Sequence, residues 1–318
     1  MQTNCIKTID DITVIDMNRF ADMDTESRQH ISDLFIQTMA TEGLIGFEGH
    51  PACNSGIDLS DLGHRLFSLP LEKYQSSGMA ATRGFSRGAL DQLMWHTGPE
   101  ISADNPLFAR LPPNQWLDEL PDFKTVSLEM FSLLEDLSLD MMSMLAIGLK
   151  ANEKDWLAAM QNHSSVLRFI YFPANGELAS ENIRLVEHID AGLFAIIPPA
   201  DGGGFEVYRN GDWFSVPSYD DIIFTYPGQM TEYLTNGKIK AVSHRVTSHG
   251  YREHSRLSFP YFMMPHPDFK LAAPESLIDA AAKEDYPEYT AEELLLRYFQ
   301  EYLPDNYDSG WARQVTSE

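Results

Sequence analysis

At 318 residues, with 43% hydrophobic and 22% charged side chains, the chain has the length for a large core and the composition of a globular protein. Its 47 acidic residues outnumber 23 basic ones, and the formal net charge of -24 sets most of the exterior against nucleic acid phosphates and anionic membrane surfaces. No apolar run approaches the roughly 18 residues that span a bilayer, and "MQTNCIKTIDD" has neither the basic start nor the apolar core of a secretory leader, so the sequence reads as cytoplasmic.

The two cysteines, Cys5 and Cys53, lack CxxC spacing and read as free thiols. Residues 26–42 place Ile31, Leu34, Phe35, Thr38 and Met39 at helical spacing, and "GLIGF" follows as a break and a short strand. From Thr125 to Lys150, Met130, Leu134, Leu137, Met141 and Leu145 recur every three or four residues, which predicts a long core-facing helix weakened at its end by Gly148. A methionine stripe at this spacing reads as core filling rather than a soft-metal site.

After Asn162 the texture changes. "VLRFIYF", "IRLVEHI", "LFAII", "FEVYR", "WFSV", "DIIFTY", "MTEYLT", "KAVSHRV" and "RLSFPYF" are rich in β-branched and aromatic residues and punctuated by Gly, Pro and Asn, which predicts antiparallel strands. Asn210-Gly211 between two such runs predicts a two-residue hairpin of type I′. Some eight short strands point to a jelly roll. Gly202, Gly203 and Gly204 precede a strand rather than a helix and read as a flexible loop, not a phosphate cradle. Thr290 with Glu293 ahead of "LLLRYF" reads as a capping box opening a C-terminal helix. One unit over 1–318 is expected, with a mainly helical part at 1–162, a strand-rich core at 163–270 and a helical part at 271–318.

"VEHIDAGLFAI" carries His188 and Asp190 two positions apart in a strand-like run. Residues i and i+2 of a strand share a face, so an imidazole and a carboxylate stand side by side. With this many acids, one or two such pairs are expected by accident, and the chain has two; the other, His266-Pro267-Asp268, lies among prolines that argue against a central strand. Two imidazoles and a carboxylate on one face of an octahedron suit iron(II) chemistry with dioxygen. His244, His249 and His254 are the downstream candidates, and His244 is favoured because it lies in a strand-like run while the other two flank "GYRE". Arg256 and Ser258, again two apart, offer a guanidinium and a hydroxyl to one carboxylate of a small acid.

His188-Ile-Asp190, His244 and Arg256-Leu-Ser258 together resemble the signature of the isopenicillin N synthase-like iron(II)/2-oxoglutarate-dependent oxygenases. The resemblance extends through "ITVIDM", "GLIGFEGH", "FSLPLEKY", "RGFSRG", "LPPNQWLDELPDFK" and "FTYPGQMTEYLTNGKIKAVSHRV". It implies an α+β fold, a distorted double-stranded β-helix (jelly roll, cupin-like) with flanking helices. It also implies Fe(II) held by His188, Asp190 and His244, 2-oxoglutarate as cosubstrate on Arg256 and Ser258, and dioxygen as oxidant. By position in the family, Arg87, Trp95, Arg184, Phe259 and Tyr261 line the site for a small, amino-acid-derived substrate to be hydroxylated, desaturated or cyclised. Two features depart from relatives: the stretch from His244 to Arg256 is longer, and Ile170 and Phe172 stand where many have an Asn-x-Tyr before the proline. The alternatives are an oxidase of the same family that dispenses with 2-oxoglutarate and a non-catalytic jelly-roll binding protein. Neither the pattern nor the resemblance sets an oligomeric state.

Overall fold

The computed structural model describes residues 6–18, 20–75, 83–88, 90–178, 180, 182–248, 252–278 and 286–302. Cys5 and His249 lie outside these residues, and Cys53 is a buried free thiol. In chain order the elements are β1 (Ile6–Ile9), β2 (Ile12–Asp16), α1 (Thr25–Thr41), β3 (Ile45–Glu48), α2 (Leu59–Phe67), α3 (Leu71–Gln75), β4 (Gly84–Arg87) and β5 (Leu93–Thr97). They continue with α4 (Asp122–Gly148), α5 (Glu153–Ala158), β6 (Val166–Phe172), β7 (Ile183–His188), β8 (Phe194–Ile197), β9 (Phe205–Arg209), β10 (Asp212–Ser215) and β11 (Ile223–Pro227). The last are α6 (Gln229–Leu234), β12 (His244–Thr247), β13 (Arg256–Ser258), β14 (Tyr261–Met263) and α7 (Ala291–Tyr302).

The strands form two sheets. The larger runs β1-β2-β3-β11-β8-β14-β6-β5-β4 with β13 also on β6, and the smaller runs β10-β9-β12-β7. Ile170, Phe172, Ala195, Ile197, Phe205, Val207 and Val246 fill the space between them, so the two sheets make the jelly roll. The other face of the large sheet, with Leu167, Phe169, Ile196, Phe259 and Tyr261, packs on α1 and α4 through Phe35, Phe123 and Phe131. Burial on both faces explains why β8 reads as an unbroken apolar run rather than an alternating one.

The helices follow their sequence signals. Asp24 caps α1 by accepting from the Ser27 amide at 2.8 Å. Thr290 and Glu293 exchange side-chain bonds with each other's amides at 3.2 and 2.7 Å, the reciprocal box that opens α7. The Asn210-Gly211 turn takes positive φ at both residues and registers Arg209 opposite Asp212. Gly148 plays a different part from the one its position suggests. A Cβ there would come within 2.5 Å of Ile36 Cγ1 and 2.8 Å of the Ser32 carbonyl, so the glycine lets α1 and α4 cross closely. The turn beyond is made by Lys150, with φ of 56°.

Three expectations are revised. "MTEYLT" is not a strand: α6 occupies it, burying Met230, Thr231 and Leu234 on one helical face. The run "KAVSHRV" contributes strand only from His244, and Pro260 falls between β13 and β14 in "RLSFPYF". Within the first 162 residues, β1 to β5 also add to both ends of the large sheet. These strands are four or five residues long, too short to show a period, and they join the core through β3 and β5, whose partners β11 and β6 lie far along the chain.

Overpacking the helix crossing gives a direct check. Gly148→Val should cost about 1–3 kcal/mol of folding stability, read as a lower denaturant midpoint with an unchanged slope. An unaltered midpoint would mean that the crossing has room to spare.

Candidate metal centre

His188 is the last residue of β7 and His244 the first of β12, and they are directly opposed across the antiparallel pair. Their rings stand 4.1 Å apart between centroids. Asp190 lies two residues past the end of β7, so strand alternation brings it only part of the way. The rest is done by the start of α6: the Gln229 amide donates to the Asp190 carbonyl at 2.7 Å. Gly228 packs so tightly on the carbonyls of Asp190 and Gly192 that a Cβ would collide with both.

The donor atoms of His188, Asp190 and His244 all lie within 4.8 Å of one another, the one such cluster among the described residues. His188 Nε2 stands 3.9 Å from Asp190 Oδ1, and His244 Nε2 stands 3.7 Å from Asp190 Oδ2. Each imidazole turns its Nδ1 to a backbone carbonyl two residues back, Val186 at 2.8 Å and Val242 at 3.3 Å. A carbonyl only accepts, so both Nδ1 atoms carry the proton and both Nε2 lone pairs face the cluster. Burial lowers the His244 pKa to about 4, against the pull of the Asp190 charge, so this imidazole is neutral at physiological pH. Two imidazoles that turn Nε2 inward and one carboxylate fit a divalent first-row metal such as iron(II).

Tyr226, on β11, joins the group. Its hydroxyl donates to Asp190 Oδ2 at 2.8 Å and lies 3.1 Å from His244 Nε2, with its ring 4.6 Å from the His244 ring. From the C-terminal helix, Tyr298 donates to the Ile189 carbonyl at 2.8 Å. Sequence reading missed both: in "FTYPGQ" a tyrosine looks like any strand aromatic, and no local pattern ties α7 to residue 189.

Arg256 and Ser258 share a face of β13 and are buried opposite Phe172 and Ile170 of β6. Arg256 Nε donates to the Gly203 carbonyl at 3.0 Å, so the triple-glycine loop is a packed partner rather than a slack connection. The guanidinium carbon lies 5.5 Å from the Phe172 ring centre, and the buried NH1 has no hydrogen-bond partner among the described residues. Burial and the nearby Arg184 charge lower its pKa to about 10, which leaves it cationic at neutral pH. An unsatisfied buried guanidinium beside a hydroxyl is a fit for a carboxylate ligand.

The remaining predicted residues are dispersed. Arg87 is exposed at the end of β4. Arg184 is buried and donates to the His254 carbonyl at 2.6 Å, bracing the loop ahead of β13, and with Phe172 it lines a small cavity. Trp95, Phe259 and Tyr261 face the helices instead of the metal cluster, packed on Phe123, Phe169 and Phe131 at 5.6, 5.3 and 5.2 Å. Their strand neighbours Met94 and Phe262 point between the sheets, a displacement of one residue that reverses the face. His254 is exposed. His266 and Asp268 form a surface turn, with Asp268 also bridging Arg110 at 2.9 Å.

Comparison with known proteins agrees with this geometry. Residues 162–265 match the 2OG-Fe(II) oxygenase superfamily. The chain is 23% identical over 307 residues to the 2-oxoglutarate-Fe(II) type oxidoreductase hxnY of Emericella nidulans, covering 89% of this chain and 87% of that one. It is 26% identical over 300 residues to gibberellin 2-beta-dioxygenase 1 of Pisum sativum, covering 87% and 88%. Among solved structures, a 2OG-Fe(II) oxygenase family protein from Caulobacter crescentus superposes with a TM-score of 0.79 at 20% identity, over 91% of this chain and 99% of that one. A rice dioxygenase for auxin oxidation gives 0.71 at 19%, over 91% and 95%. The chain therefore carries a 2OG-Fe(II) oxygenase superfamily domain on the jelly roll described above. The protein is a non-haem dioxygenase that uses iron(II), 2-oxoglutarate and dioxygen.

Removing the hydroxyl that steadies Asp190 should be visible in metal binding. Tyr226→Phe is expected to weaken iron(II) affinity about 10- to 100-fold in anaerobic titration while the far-ultraviolet circular dichroism stays unchanged. Equal affinity in the two proteins would leave Tyr226 a packing residue.

Proposed function

We propose that His188, Asp190 and His244 hold the iron(II), that Arg256 and Ser258 hold the far carboxylate of 2-oxoglutarate, and that the enzyme oxidises a small, amino-acid-derived molecule in the cytoplasm. The observation that carries this reading is the cross-strand pair His188–His244, with both Nδ1 atoms on backbone carbonyls and both Nε2 atoms turned toward Asp190. When bound, iron(II) supplies the redox chemistry by which dioxygen converts 2-oxoglutarate to succinate and carbon dioxide and oxidises the substrate.

The chain's own groups do the positioning. The Val186 and Val242 carbonyls fix the imidazole rings, and Tyr226 steadies the carboxylate. With iron bound, the Asp190 carboxylate would occupy the place a halide needs, which supports hydroxylation, desaturation or ring closure over halogenation. Phe172 packs against the Arg256 guanidinium and has no hydroxyl, so Arg256 and Ser258 carry the cosubstrate carboxylate without a tyrosine's help. The strongly acidic exterior supports a small-molecule substrate over a nucleic acid or an anionic membrane. No helix among the described residues is long and apolar enough to cross a membrane.

Alanine at His188, Asp190 or His244 should each abolish iron(II) binding and turnover, whereas His254→Ala should leave both intact. Iron that stays bound without His244 but leaves without His254 would reassign the third ligand. For the cosubstrate, a charge-assisted hydrogen bond to a buried carboxylate is worth about 1.5–3 kcal/mol. Arg256→Ala should therefore weaken 2-oxoglutarate at least tenfold, followed anaerobically by the visible band of the chelate, with iron affinity little changed. Ser258→Ala should cost less. An Arg256→Ala protein that binds 2-oxoglutarate as well as the parent would put the cosubstrate elsewhere.

A further inference from the structure

Between the sheets lies a second arginine that neither the metal nor the cosubstrate employs. Arg168 is on β6, on the same inward face as Ile170 and Phe172, which stand opposite Ser258 and Arg256. Four residues of strand separate positions 168 and 172, roughly 13 Å, so Arg168 and Arg256 sit at two ends of one face. The guanidinium of Arg168 lies 4.5 Å from the Phe262 ring centre on β14. Phe262 and Tyr226 flank Ala195 in register across β14, β8 and β11, and all three face between the sheets, so Arg168 lies on the side of the tyrosine whose hydroxyl meets Asp190.

Its surroundings hold it without neutralising it. Arg168 Nε donates to His96 Nδ1 at 3.3 Å, across the directly paired β5 position. His96 Nε2 in turn donates to Ser86 Oγ at 2.6 Å. Burial, with Arg168 and Arg83 nearby, keeps His96 far below its usual pKa, so it is a neutral acceptor for the guanidinium. Neither terminal amino group of Arg168 has a hydrogen-bond or ion-pair partner among the described residues. The contrast with other arginines of this chain is sharp: Arg28, Arg110, Arg209 and Arg245 each meet a carboxylate. A half-buried guanidinium whose fork is left open, in a chain with twice as many acids as bases, is a site built for an anion brought from outside.

We propose that Arg168 is the specificity-determining residue for the primary substrate and binds its carboxylate, with Phe262 covering the guanidinium face and His96 and Ser86 holding it aimed. The substrate is then a small carboxylic acid whose oxidisable carbon lies between Arg168 and the metal cluster, on the face where Met94, Ile170 and Phe262 present apolar side chains. This rests on the oxygenase reading above and adds the chemical class of the substrate and the residue that selects it.

The test uses anaerobic protein loaded with iron(II) and saturating 2-oxoglutarate, titrated calorimetrically with matched pairs of acid and primary amide: acetate and acetamide, phenylacetate and phenylacetamide, indole-3-acetate and indole-3-acetamide. In the parent, at least one acid should bind ten times more tightly than its amide. Arg168→Met should bring that pair to parity, and Arg168→Lys should keep part of the preference. Affinity for 2-oxoglutarate should stay within twofold in both variants. His96→Leu should lower the preference and His96→Gln, which keeps an acceptor for Nε, should restore it. The proposal is overturned if no acid is preferred by the parent, if the preference survives Arg168→Met, or if Arg168→Met chiefly loses 2-oxoglutarate. Failure of the underlying reading is distinct, because it is read from 2-oxoglutarate binding in Arg256→Ala.

Discussion

The antiparallel pairing of β7 with β12 is the constraint on which the site depends. It sets His188 against His244 at the point where both strands meet the loop to α6, and the carbonyls two residues back on each strand choose the tautomer. A slip of one residue in this register would turn one imidazole to the opposite face and dissolve the cluster. The pairing is irregular just beyond the histidines, with shifts between His244 and Val246 and again before Thr247. The direct pairing thus falls at the two histidines themselves.

The large sheet serves two masters. Its outer face is cemented to α1 and α4 by aromatic contacts such as Trp95 with Phe123 and Tyr261 with Phe131, while its inner face carries the polar groups, Arg168, Arg256 and Ser258, between apolar neighbours. A helix layer pressed on one side gives the strands a rigid backing, so the inward arginines are held at fixed separations along β6 and β13. Both lie over an aromatic ring, Arg168 over Phe262 and Arg256 over Phe172. Each therefore keeps a desolvated, oriented charge that an incoming carboxylate can meet.

Much of this was legible in the chain because it is local. The Asn210-Gly211 turn, the capping pair Thr290 and Glu293, the apolar spacing of α1 and the methionine stripe of α4 all follow from residues no more than four apart. The same holds for His188 with Asp190 and for Arg256 with Ser258, whose separation by two on or beside a strand brings each pair together. What escaped is what depends on distant partners. Trp95 and Tyr261 sit in strands, and Phe259 just past one, whose inward face is decided by sheet neighbours, and a one-residue error of parity put Trp95 and Tyr261 in place of Met94, His96 and Phe262. The helix α6 hid in a strand-like composition because Gly228 packing on Asp190 and Gly192, rather than propensity, starts it. Tyr226 and Arg168 look ordinary in sequence and acquire roles only when β11 and β6 are laid beside β8, β14 and β5.

The most direct measurement is anomalous diffraction at the iron edge from crystals prepared anaerobically with iron(II). The account predicts a single strong peak bonded to His188 Nε2, His244 Nε2 and one oxygen of Asp190, with both Nδ1 atoms still on the Val186 and Val242 carbonyls and the Tyr226 hydroxyl on the other Asp190 oxygen. Iron bound through an Nδ1 atom, or at ligands that exclude His244, would contradict it.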